Sequence, residues 1–366
     1  MKILIIGPFP DPVFGVSLSN LVLTKGLLKK GHKIKTIDTT TTATIDSVQG
    51  AWSICKLKFL KNYLKLYKVL NADVVYCTIG QTFFGILKYA PFVFFAKFLN
   101  KQLIVHVKGG YLKTSYEMMS PLKQRISKRI LQYFDKGIVL SRSLKPLLQK
   151  FLADEKIFIR HNFIQNSLIL PAEKVQKLKE FKQLRLVFMS NLIAEKGIEE
   201  LLAALEFLNS KNISFEAKIA GNVPIDQGQL CDKMASIKNI HYLGVVRGVE
   251  KAKLLSWANV FCLPTYYAME GQPISILEAM GFGNLIITTK HAGIPDVCSE
   301  KNAVFVEVKS VKSLSDTLLI LSKSLGRLEK SSPIILEKAR SKYSEDAFVD
   351  GIINIINTKT TQQKSV

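Results

Sequence analysis

The feature of this sequence that most constrains its fold is an alternation of short apolar runs, rich in Val and Ile, with amphipathic stretches. The apolar runs predict buried strands, and the stretches between them carry apolar residues at helical spacing. Strand, helix and strand in that order indicate a parallel sheet covered by helices on both faces. In the first half, strands are predicted at Lys2–Ile6, Lys33–Ile37, Asp73–Cys77, Leu103–Val107, Gly137–Leu140 and Lys156–Ile159, and a helix at Ser17–Lys30.

Residues 163–183 interrupt this alternation with a polar stretch, which indicates a connection between two domains. The sequence therefore predicts an α/β protein of two doubly wound, Rossmann-like domains, 1–165 and 166–343, with a helix at 344–357 packing back on the first. A cleft between the domains is the expected ligand site. In the second half, strands are predicted at Leu184–Met189, Phe215–Ile219, Ile240–Leu243, Asn259–Leu263, Leu285–Thr288 and Ala303–Val306, and helices at Ile198–Leu208, Val249–Ala258 and Pro273–Met280.

The positive charge of the chain is concentrated in its first half. The net charge is +22, of which residues 1–165 contribute +18 and residues 166–366 contribute +4. A basic half predicts an anionic partner, which could be a nucleic acid, an anionic membrane surface or a phosphorylated substrate. Because no zinc, helix-turn-helix or RNA-recognition motif accompanies the charge, no nucleic-acid partner is expected.

The cysteines and the apolar runs indicate in which cellular compartment the protein is expected. The five cysteines are far apart and form no Cys-x-x-Cys pair, so neither a disulfide framework nor a zinc knuckle is expected, and a reducing, cytoplasmic location is predicted. The first apolar run is too short for a secretory signal. The most apolar stretch, Ala90 to Leu99, is interrupted by Lys97, so no transmembrane helix is expected.

Two glutamates flank the start of the predicted helix Pro273–Met280. Glu270 lies in the loop before the helix, Glu278 lies inside it, and Pro273 suits its first turn because proline lacks the N–H group. The free N–H groups of Ile274 and Ser275 favour an anion such as phosphate, and a carboxylate can accept hydrogen bonds from sugar hydroxyls. On spacing alone, a capping acid plus a solvated helix acid explains the two glutamates equally well.

The second half of the chain resembles the retaining glycosyltransferases of the GT-B fold, family four. Seven residues separate Glu270 from Glu278, which is the E-x7-E spacing of that family. The resemblance extends over roughly residues 180–310. Its other motifs are Glu278-Ala-Met-Gly-Phe-Gly, Ala292-Gly-Ile-Pro-Asp296, Leu243-Gly-Val-Val246 and Glu195-Lys-Gly-Ile198.

The resemblance implies a nucleotide-sugar donor and gives individual residues roles toward it. Glu278 would bind the ribose hydroxyls, Glu270 would lie beside the transferred sugar, and Lys196 would pair with the diphosphate, where negative charge develops. Where the family usually has an arginine, this chain has Asn191, so Arg247 or the helix N-terminus would have to compensate. The remaining implied contacts are the backbone of Gly271, Gln272, Pro273 and Ile274 with sugar and phosphate, and Val246 near the base.

In the first half the resemblance is weaker. Gly15 matches a glycine-rich turn where substrate approaches the backbone, although it could be an ordinary turn glycine. His106, at a strand end, would face the donor sugar or serve structurally, and Lys108 is a second candidate for the phosphates. The lack of a Gly-x-Gly-x-x-Gly motif argues against a nicotinamide dehydrogenase. The lack of an Asp-x-Asp motif leads us to expect no metal and no cofactor.

Basic residues at helical spacing predict a surface that contacts an anionic membrane. Such helices, with aromatic residues nearby, are typical of membrane-surface contacts, although a solvated charged face over an ordinary core stripe has the same pattern. The residues concerned are Lys58, Lys61, Lys65 and Lys68 in Ile54–Leu70, and Lys123, Arg125, Lys128 and Arg129 after Pro121.

Together these features predict a retaining, metal-independent glycosyltransferase of the hexosyltransferase type. It would use a nucleotide-sugar and a lipid-linked or polysaccharide acceptor on the cytoplasmic face of the membrane, in cell-envelope glycan synthesis. An isomerase of the same fold, which converts a nucleotide-sugar without an acceptor, is the alternative. A nucleic-acid-binding protein is a remote third.

Overall fold

The computed structural model describes residues 1–40, 54–224 and 228–359 of the chain, without the side chains of residues 54–58. The chain forms two units: the first comprises Met1–Asn162 and Glu345–Val366, and the second comprises Phe163–Ser344. The chain thus leaves the first unit, forms the whole of the second and returns to the first. No helix of the described ranges is long and apolar enough to cross a membrane.

Twelve strands of the described chain form two sheets in which every named pair of strands is parallel. Most of them are nearly continuous apolar runs because both faces of a parallel sheet are covered by helices. The strands are β1 Lys2–Gly7, β2 Lys33–Asp38, β3 Val74–Cys77, β4 Gln102–Val107, β5 Lys136–Val139, β6 Ile157–Ile159, β7 Leu184–Met189, β8 Phe215–Ala220, β9 Ile240–Tyr242, β10 Val260–Leu263, β11 Leu285–Thr288 and β12 Ala303–Phe305.

The helices occupy the amphipathic stretches between the strands. They are α1 Gly15–Lys29, α2 Phe83–Leu87, α3 Ala90–Phe98, α4 Leu112–Glu117, α5 Pro121–Gln132, α6 Ala172–Leu178, α7 Ile198–Ser210, α8 Gly228–Ser236, α9 Gly248–Trp257, α10 Ile274–Gly281, α11 Val311–Ser322, α12 Leu325–Lys342 and α13 Glu345–Asn357. Each predicted strand and helix lies within a few residues of its predicted bounds.

The sheet of the first unit has the order β2-β1-β3-β4-β5-β6. Strands β1 and β3 approach closely at their carboxyl ends, where a Cβ atom on Gly7 would lie 1.8 Å from Thr78 Oγ1, so only glycine fits. The C-terminal helix α13 packs on α1 of this unit. Its last turn is held by the buried Lys136 of β5, whose Nζ donates to the carbonyls of Ile355, Ile356 and Thr358 at 2.7, 2.8 and 2.6 Å.

The sheet of the second unit has the order β12-β11-β10-β7-β8-β9, with its direction of growth reversing between β7 and β10. Doubly wound sheets bind ligands at such a reversal, beyond the carboxyl ends of the two strands. Its apolar core includes the fully buried Val187, Phe261 and Ile287 of three neighbouring strands. Residues 163–183 lie within this unit and carry α6, so part of the predicted connection is helical.

Two local predictions are wrong. Pro273 is the N-cap of α10, which begins at Ile274, so proline precedes the first helical turn. The basic stretch Ile54–Val69 is a 3-10 helix, which has three residues per turn. Residues three apart therefore share a face, and Lys61 aligns with Leu64 and Tyr67, whereas Lys65 aligns with Lys68 on another face. Lys61 therefore does not share a face with Lys65 and Lys68.

Candidate functional site

The loops after β7 and β10 bring Lys196 and Glu270 together. The loop after β7 leads through a short 3-10 turn, Ala194–Lys196, into α7. Gly197 joins the turn to the helix at a φ of 80°, and a Cβ atom there would lie 2.6 Å from the carbonyl oxygen of Pro264. Glycine is needed at this position both for the left-handed conformation and for the close approach. The turn that carries Lys196 is thereby pressed against the chain leaving β10.

Lys196 and Glu270 form an ion pair at this place. Lys196 Nζ lies 2.5 Å from Glu270 Oε2, and the two side chains are only 12% and 10% exposed. The Thr265 hydroxyl donates to the same carboxylate oxygen at 3.4 Å. The ammonium group also lies 4.7 Å from the centre of the Tyr267 ring. One carboxylate oxygen of Glu270 is therefore engaged, and the described residues show no hydrogen bond or ion pair to the other.

Tyr267, which lies beside this ion pair, has a shifted pKa. Burial raises the pKa of the Tyr267 hydroxyl, and the carboxylates of Glu270 and Glu195 raise it further. Tyr267 is thus a neutral hydrogen-bonding group at physiological pH. The backbone holds the loop in place, since Tyr266 N–H donates to the Glu195 carbonyl at 2.8 Å.

The N-terminus of α10 is the second component. Its N-cap is Pro273, and no side chain of the described residues caps this end by a hydrogen bond. The residues before it, Gly271 and Gln272, are buried, and the Gly271 carbonyl accepts a hydrogen bond from Gly293 N–H at 2.8 Å. Ile274, in the first turn, is half-buried. An uncapped, partly accessible helix N-terminus can receive an anionic group.

Glu278 is the third component, one turn into α10. Its side chain is fully buried, and Oε2 lies 2.5 Å from Nζ of Lys251 on α9. Among the described residues, neither Oε1 nor Oε2 meets the geometry of a hydrogen bond, so the contact of Oε2 with Lys251 is an ion pair and Oε1 has no such contact. Burial raises the pKa of the Glu278 carboxyl, and Lys251 partly opposes that rise. The structure therefore places a carboxylate with one unused oxygen inside the unit.

Lys251 is the residue that sequence reasoning missed. The helix α9 buries Leu254 and Leu255, which lie three and four residues after Lys251. Residues at these spacings share a helix face, so a lysine on the buried face could have been recognised as paired with an acid. What the sequence could not indicate is that the acid is Glu278.

Three other predicted donor residues lie in loops of the second unit or at their ends. Asn191 is half-buried and lies two residues after the end of β7. Val246 is half-buried and packs on the apolar core. Arg247 is exposed and is the N-cap of α9, so it belongs to the same helix as Lys251.

The predicted residues of the first unit have different environments. Gly15 is exposed and is the first residue of α1. His106 on β4 is fully buried; its Nδ1 is hydrogen-bonded to the Tyr76 hydroxyl on β3, and its Nε2 has no partner in the described chain. Burial lowers the pKa of His106, and Lys108 and Arg160 lower it further, so the imidazole is neutral. One ring nitrogen is thus buried without a hydrogen-bond partner among the described residues.

Lys108 directs its ammonium group toward α13 of its own unit. Nζ lies 4.8 Å from the centre of the Phe348 ring, is buried, and has no hydrogen-bond partner among the described side chains. Burial lowers the pKa of Lys108, and the nearby Arg160 adds to the effect.

The predicted basic surface divides into two parts. On α5, Lys123, Arg125, Lys128 and Arg129 are all exposed. On the 3-10 helix, Lys61 is exposed, but Lys65 and Lys68 are half-buried and donate to Asn62 Oδ1 and to the Thr36 carbonyl at 3.0 and 2.9 Å. The side chain of Lys58 lies outside the described part.

Apolar side chains are exposed beside the basic ones. On the 3-10 helix Leu64 is 81% exposed, and on α3 Phe98 is 80% exposed. A groove of about 310 Å³ runs between α3 and α5, with the guanidinium-bearing residues Arg125 and Arg129 in its lining. Its other lining residues are Leu87, Ala90, Phe94, Ile126 and Ile130. The first unit thus presents an apolar surface with a basic border.

The described residues contain no cluster of three or more His, Cys, Asp or Glu side chains that could hold a metal ion. Cys77, Cys231, Cys262 and Cys298 are free thiols.

Comparison with known families identifies the second unit. Residues 183–324 match the family described as "Glycosyl transferases group 1", so this part of the chain is a domain of that family. The match includes Lys196, Glu270, Lys251 and Glu278. The predicted resemblance to glycosyltransferases of the GT-B fold is confirmed at this level, whereas membership of family four stays a prediction.

Two curated relatives are similar over part of their length. WcaL of Escherichia coli (strain K12), named as a colanic acid biosynthesis glycosyltransferase, is 27% identical over 186 residues, which are 47% of this chain and 43% of WcaL. A Campylobacter jejuni N,N'-diacetylbacillosaminyl-diphospho-undecaprenol alpha-1,3-N-acetylgalactosaminyltransferase is 25% identical over 138 residues, or 37% of this chain and 34% of that enzyme. The chain thus matches less than half the length of either relative.

A solved structure covers nearly the whole chain. Anabaena Alr3699/HepE in complex with UDP superimposes with a TM-score of 0.73 at 14% identity, covering 97% of this chain and 99% of that one. At this identity the likeness concerns the fold, and it confirms the predicted class of two parallel sheets in the GT-B arrangement.

Proposed function

We propose that this protein is a retaining glycosyltransferase of family four that transfers a hexose-type sugar from a nucleotide-sugar to an acceptor in cell-envelope glycan synthesis. The observation that carries the proposal is the ion pair of Lys196 and Glu270 beside the uncapped N-terminus of α10, where the strand order of the second unit reverses. A cation, a helix N-terminus and a carboxylate suit a sugar attached to a diphosphate.

The donor would be held by its phosphates and its ribose. Lys196 and the N–H groups at the start of α10 supply positive charge to the diphosphate, which offsets the replacement of the family arginine by Asn191. Glu278 accepts hydrogen bonds from the ribose hydroxyls through its unused oxygen. The UDP in the HepE complex supports a nucleotide ligand for this fold.

In the proposed reaction, the bond between the anomeric carbon and the diphosphate oxygen breaks while an acceptor hydroxyl bonds to the same face of the sugar. The hydroxyl proton passes to the leaving diphosphate oxygen, and Lys196 stabilises the negative charge that develops there. Because Lys196 and Thr265 engage one oxygen of Glu270, an orienting role toward the sugar suits this carboxylate better than nucleophilic attack. His106, Lys108 and Gly15 stay proposed donor residues of the first unit.

The acceptor is proposed to be lipid-linked or a polysaccharide on the cytoplasmic membrane face, which the protein reaches by peripheral attachment. The exposed cations of α5 and the apolar side chains beside them support an anionic lipid surface as partner. The names of the two curated relatives, one in colanic acid biosynthesis and one acting on a diphospho-undecaprenol compound, support acceptors of this class.

The test is a donor screen by mass spectrometry with a membrane extract as the acceptor source. We expect one nucleotide-sugar to be consumed only when extract is present, with the anomeric configuration retained in the product, and with no loss of rate in a chelator. Consumption without extract would indicate the isomerase instead. An inverted product, or activity that magnesium or manganese restores after chelation, would contradict the proposed mechanism.

A further inference from the structure

Lys251 stands out because no motif assigns it a role, yet it makes the one ion pair of the buried Glu278 within the described chain. The N–O distance is 2.5 Å, and the side chains are 17% and 0% exposed. A charged carboxylate at zero exposure is expensive unless a cation or hydrogen bonds compensate it. Lys251 is that cation, and it contacts Oε2 and leaves Oε1 without a partner.

In the described part of the chain, the strands and the helix that pack against α10 provide no second cation for Glu278. The helix α10 packs against β10, β11 and α12. Strand β11 has no titratable residue, β10 contributes only the buried thiol of Cys262, and Arg340 of α12 donates to the Gly281 carbonyl at the far end of α10. The remaining charged residues of α12, which are Arg327, Glu329, Lys330, Glu337, Lys338 and Lys342, are exposed.

We propose that Lys251 is a positioning residue that keeps Glu278 ionised and fixes which of its oxygens receives the ribose of the nucleotide. This inference rests on the proposed function, since the ligand of Glu278 is the ribose. Lys251 acts through Glu278 and need not touch the ligand itself. Without the ammonium group, burial favours the protonated acid, which binds ribose hydroxyls less strongly than a carboxylate does.

The experiment compares four variants with wild type: Lys251→Met, Lys251→Arg, Glu278→Gln and Lys253→Met. Lys253 is exposed on the same helix and is the matched control for loss of a lysine. Calorimetry first identifies which of UDP, GDP, CDP and ADP wild type binds most tightly. The Kd of that diphosphate is then measured for each variant between about pH 6 and 8.5. Each Kd is divided by the Kd of the Lys253→Met protein at the same pH. The ratio is then free of the pH dependence that comes from protonation of the nucleotide itself.

For Lys251→Met we expect a ratio of Kd values that rises as pH falls, by up to about tenfold per pH unit below the pKa of Glu278. Lys251→Arg should restore a flat ratio because it keeps the cation. Glu278→Gln should bind weakly with no such pH dependence. A ratio for Lys251→Met that is flat with pH, whether near one or raised, would overturn the inference.

A second measurement needs no ligand and separates this inference from the proposed function. In Lys251→Met the pKa of Glu278 in the folded protein is further above its unfolded value, so stability is lost as pH rises through that pKa. The Tm of Lys251→Met relative to Lys253→Met should therefore fall as pH rises from the unfolded pKa of a glutamate, about 4.3, to the raised pKa of the folded protein, and adding Glu278→Gln should abolish the fall. A difference in Tm between Lys251→Met and Lys253→Met that does not change with pH would overturn the inference. If that difference changes with pH as expected but wild type binds none of the diphosphates, only the assignment of a nucleotide to the site is refuted.

Discussion

Glu270 and Glu278 have the same side chain and belong to one motif, yet they have different partners. Glu270 contacts Lys196 and Thr265, and its side chain is slightly exposed. Glu278 contacts Lys251, and its side chain is fully buried. The first can reach a reacting group, and the second can hold a group that is itself enclosed. This difference predicts that the two residues affect different kinetic quantities.

We expect Glu278→Ala to weaken binding of the nucleoside diphosphate by about 1.5–3 kcal/mol, the value of hydrogen bonds to a charged group. Glu270→Gln should leave that affinity nearly unchanged and lower kcat by about 100-fold or more, because the proposed partner of Glu270 is the reacting sugar. Calorimetry and initial rates measure the two quantities, with Glu206→Gln, an exposed site on α7, as the control. Wild-type nucleotide affinity in Glu278→Ala would refute its assignment to the ribose.

The buried Lys179 predicts a pH dependence of stability. Its Nζ donates to the Ala258 carbonyl and, at 2.9 Å, to Asn284 Oδ1, and burial lowers its pKa to about 7. Between about pH 7 and 10 the unfolded chain binds a proton at this lysine that the folded protein does not, so stability rises with pH.

Relative to Lys179→Met, the free energy of unfolding of wild type should therefore increase between pH 7 and 10 by up to about 1.4 kcal/mol per pH unit. Denaturant titrations at several pH values measure it, and Lys177→Met, exposed on α6, is the control. A difference between wild type and Lys179→Met that does not change with pH would show that Lys179 keeps an ordinary pKa in the fold.

At the scale of single elements, two helix ends differ in how their backbone groups are satisfied. The N-terminus of α10 is left uncapped by side chains of the described residues, which makes it available to a ligand. The C-terminus of α13 is the opposite case, because the ammonium group of Lys136 donates to two carbonyls of its last turn, those of Ile355 and Ile356, and to that of Thr358 just after the helix. A cation at a helix C-terminus also interacts favourably with the helix dipole.

We expect Lys136→Met to destabilise the first unit by about 2 kcal/mol, since it leaves buried carbonyl groups without donors. Amide hydrogen exchange should show the loss of protection concentrated in α13. Lys113→Met, exposed on α4, should change neither quantity. Unchanged exchange in α13 would mean that its packing on α1, and not Lys136, holds the helix.

At the scale of the whole molecule, the +18 charge of residues 1–165 and the exposed apolar residues of the first unit predict attachment to anionic lipid. Each cation near such a surface contributes about 1 kcal/mol, and salt screens the attraction over about 8–10 Å. Lys65 and Lys68 already have hydrogen-bond partners in the protein. Changing the cations of α5 should therefore reduce vesicle binding more than changing the lysines of the 3-10 helix.

Co-sedimentation with anionic and neutral vesicles tests this at low and high salt. The variant with Lys123, Arg125, Lys128 and Arg129 changed to Gln should bind anionic vesicles less than the variant with Lys58, Lys61, Lys65 and Lys68 changed to Gln. Equal binding by both variants and wild type, or no preference for anionic lipid, would make the basic surface an ordinary solvated one.

Much of the fold could be predicted because buried parallel strands are continuous apolar runs, as in Leu4, Ile5 and Ile6. Such a run can be recognised as a strand without knowing which residues pack against it. The motif residues Lys196 and Glu270 could be named, but their direct contact depends on the closeness of two loops distant in sequence. The pairing of Lys251 with Glu278 and the burial of Lys179 are tertiary effects of the same kind. The 3-10 geometry of Ile54–Val69 escaped prediction because lysines and leucines at mixed spacings of three and four fit an α-helix equally well.

The return of the chain to its first unit bears on how the protein is made. Helix α13 follows the whole of the second unit in sequence, so it leaves the ribosome after that unit. During synthesis the early sheet emerges with the surface of α1 that receives α13 still bare, and the chain from residue 163 to residue 344 can collapse in the meantime. The N-terminal half is thus completed only after translation of the C-terminal half, and a nascent chain halted before residue 345 would present that bare surface to chaperones.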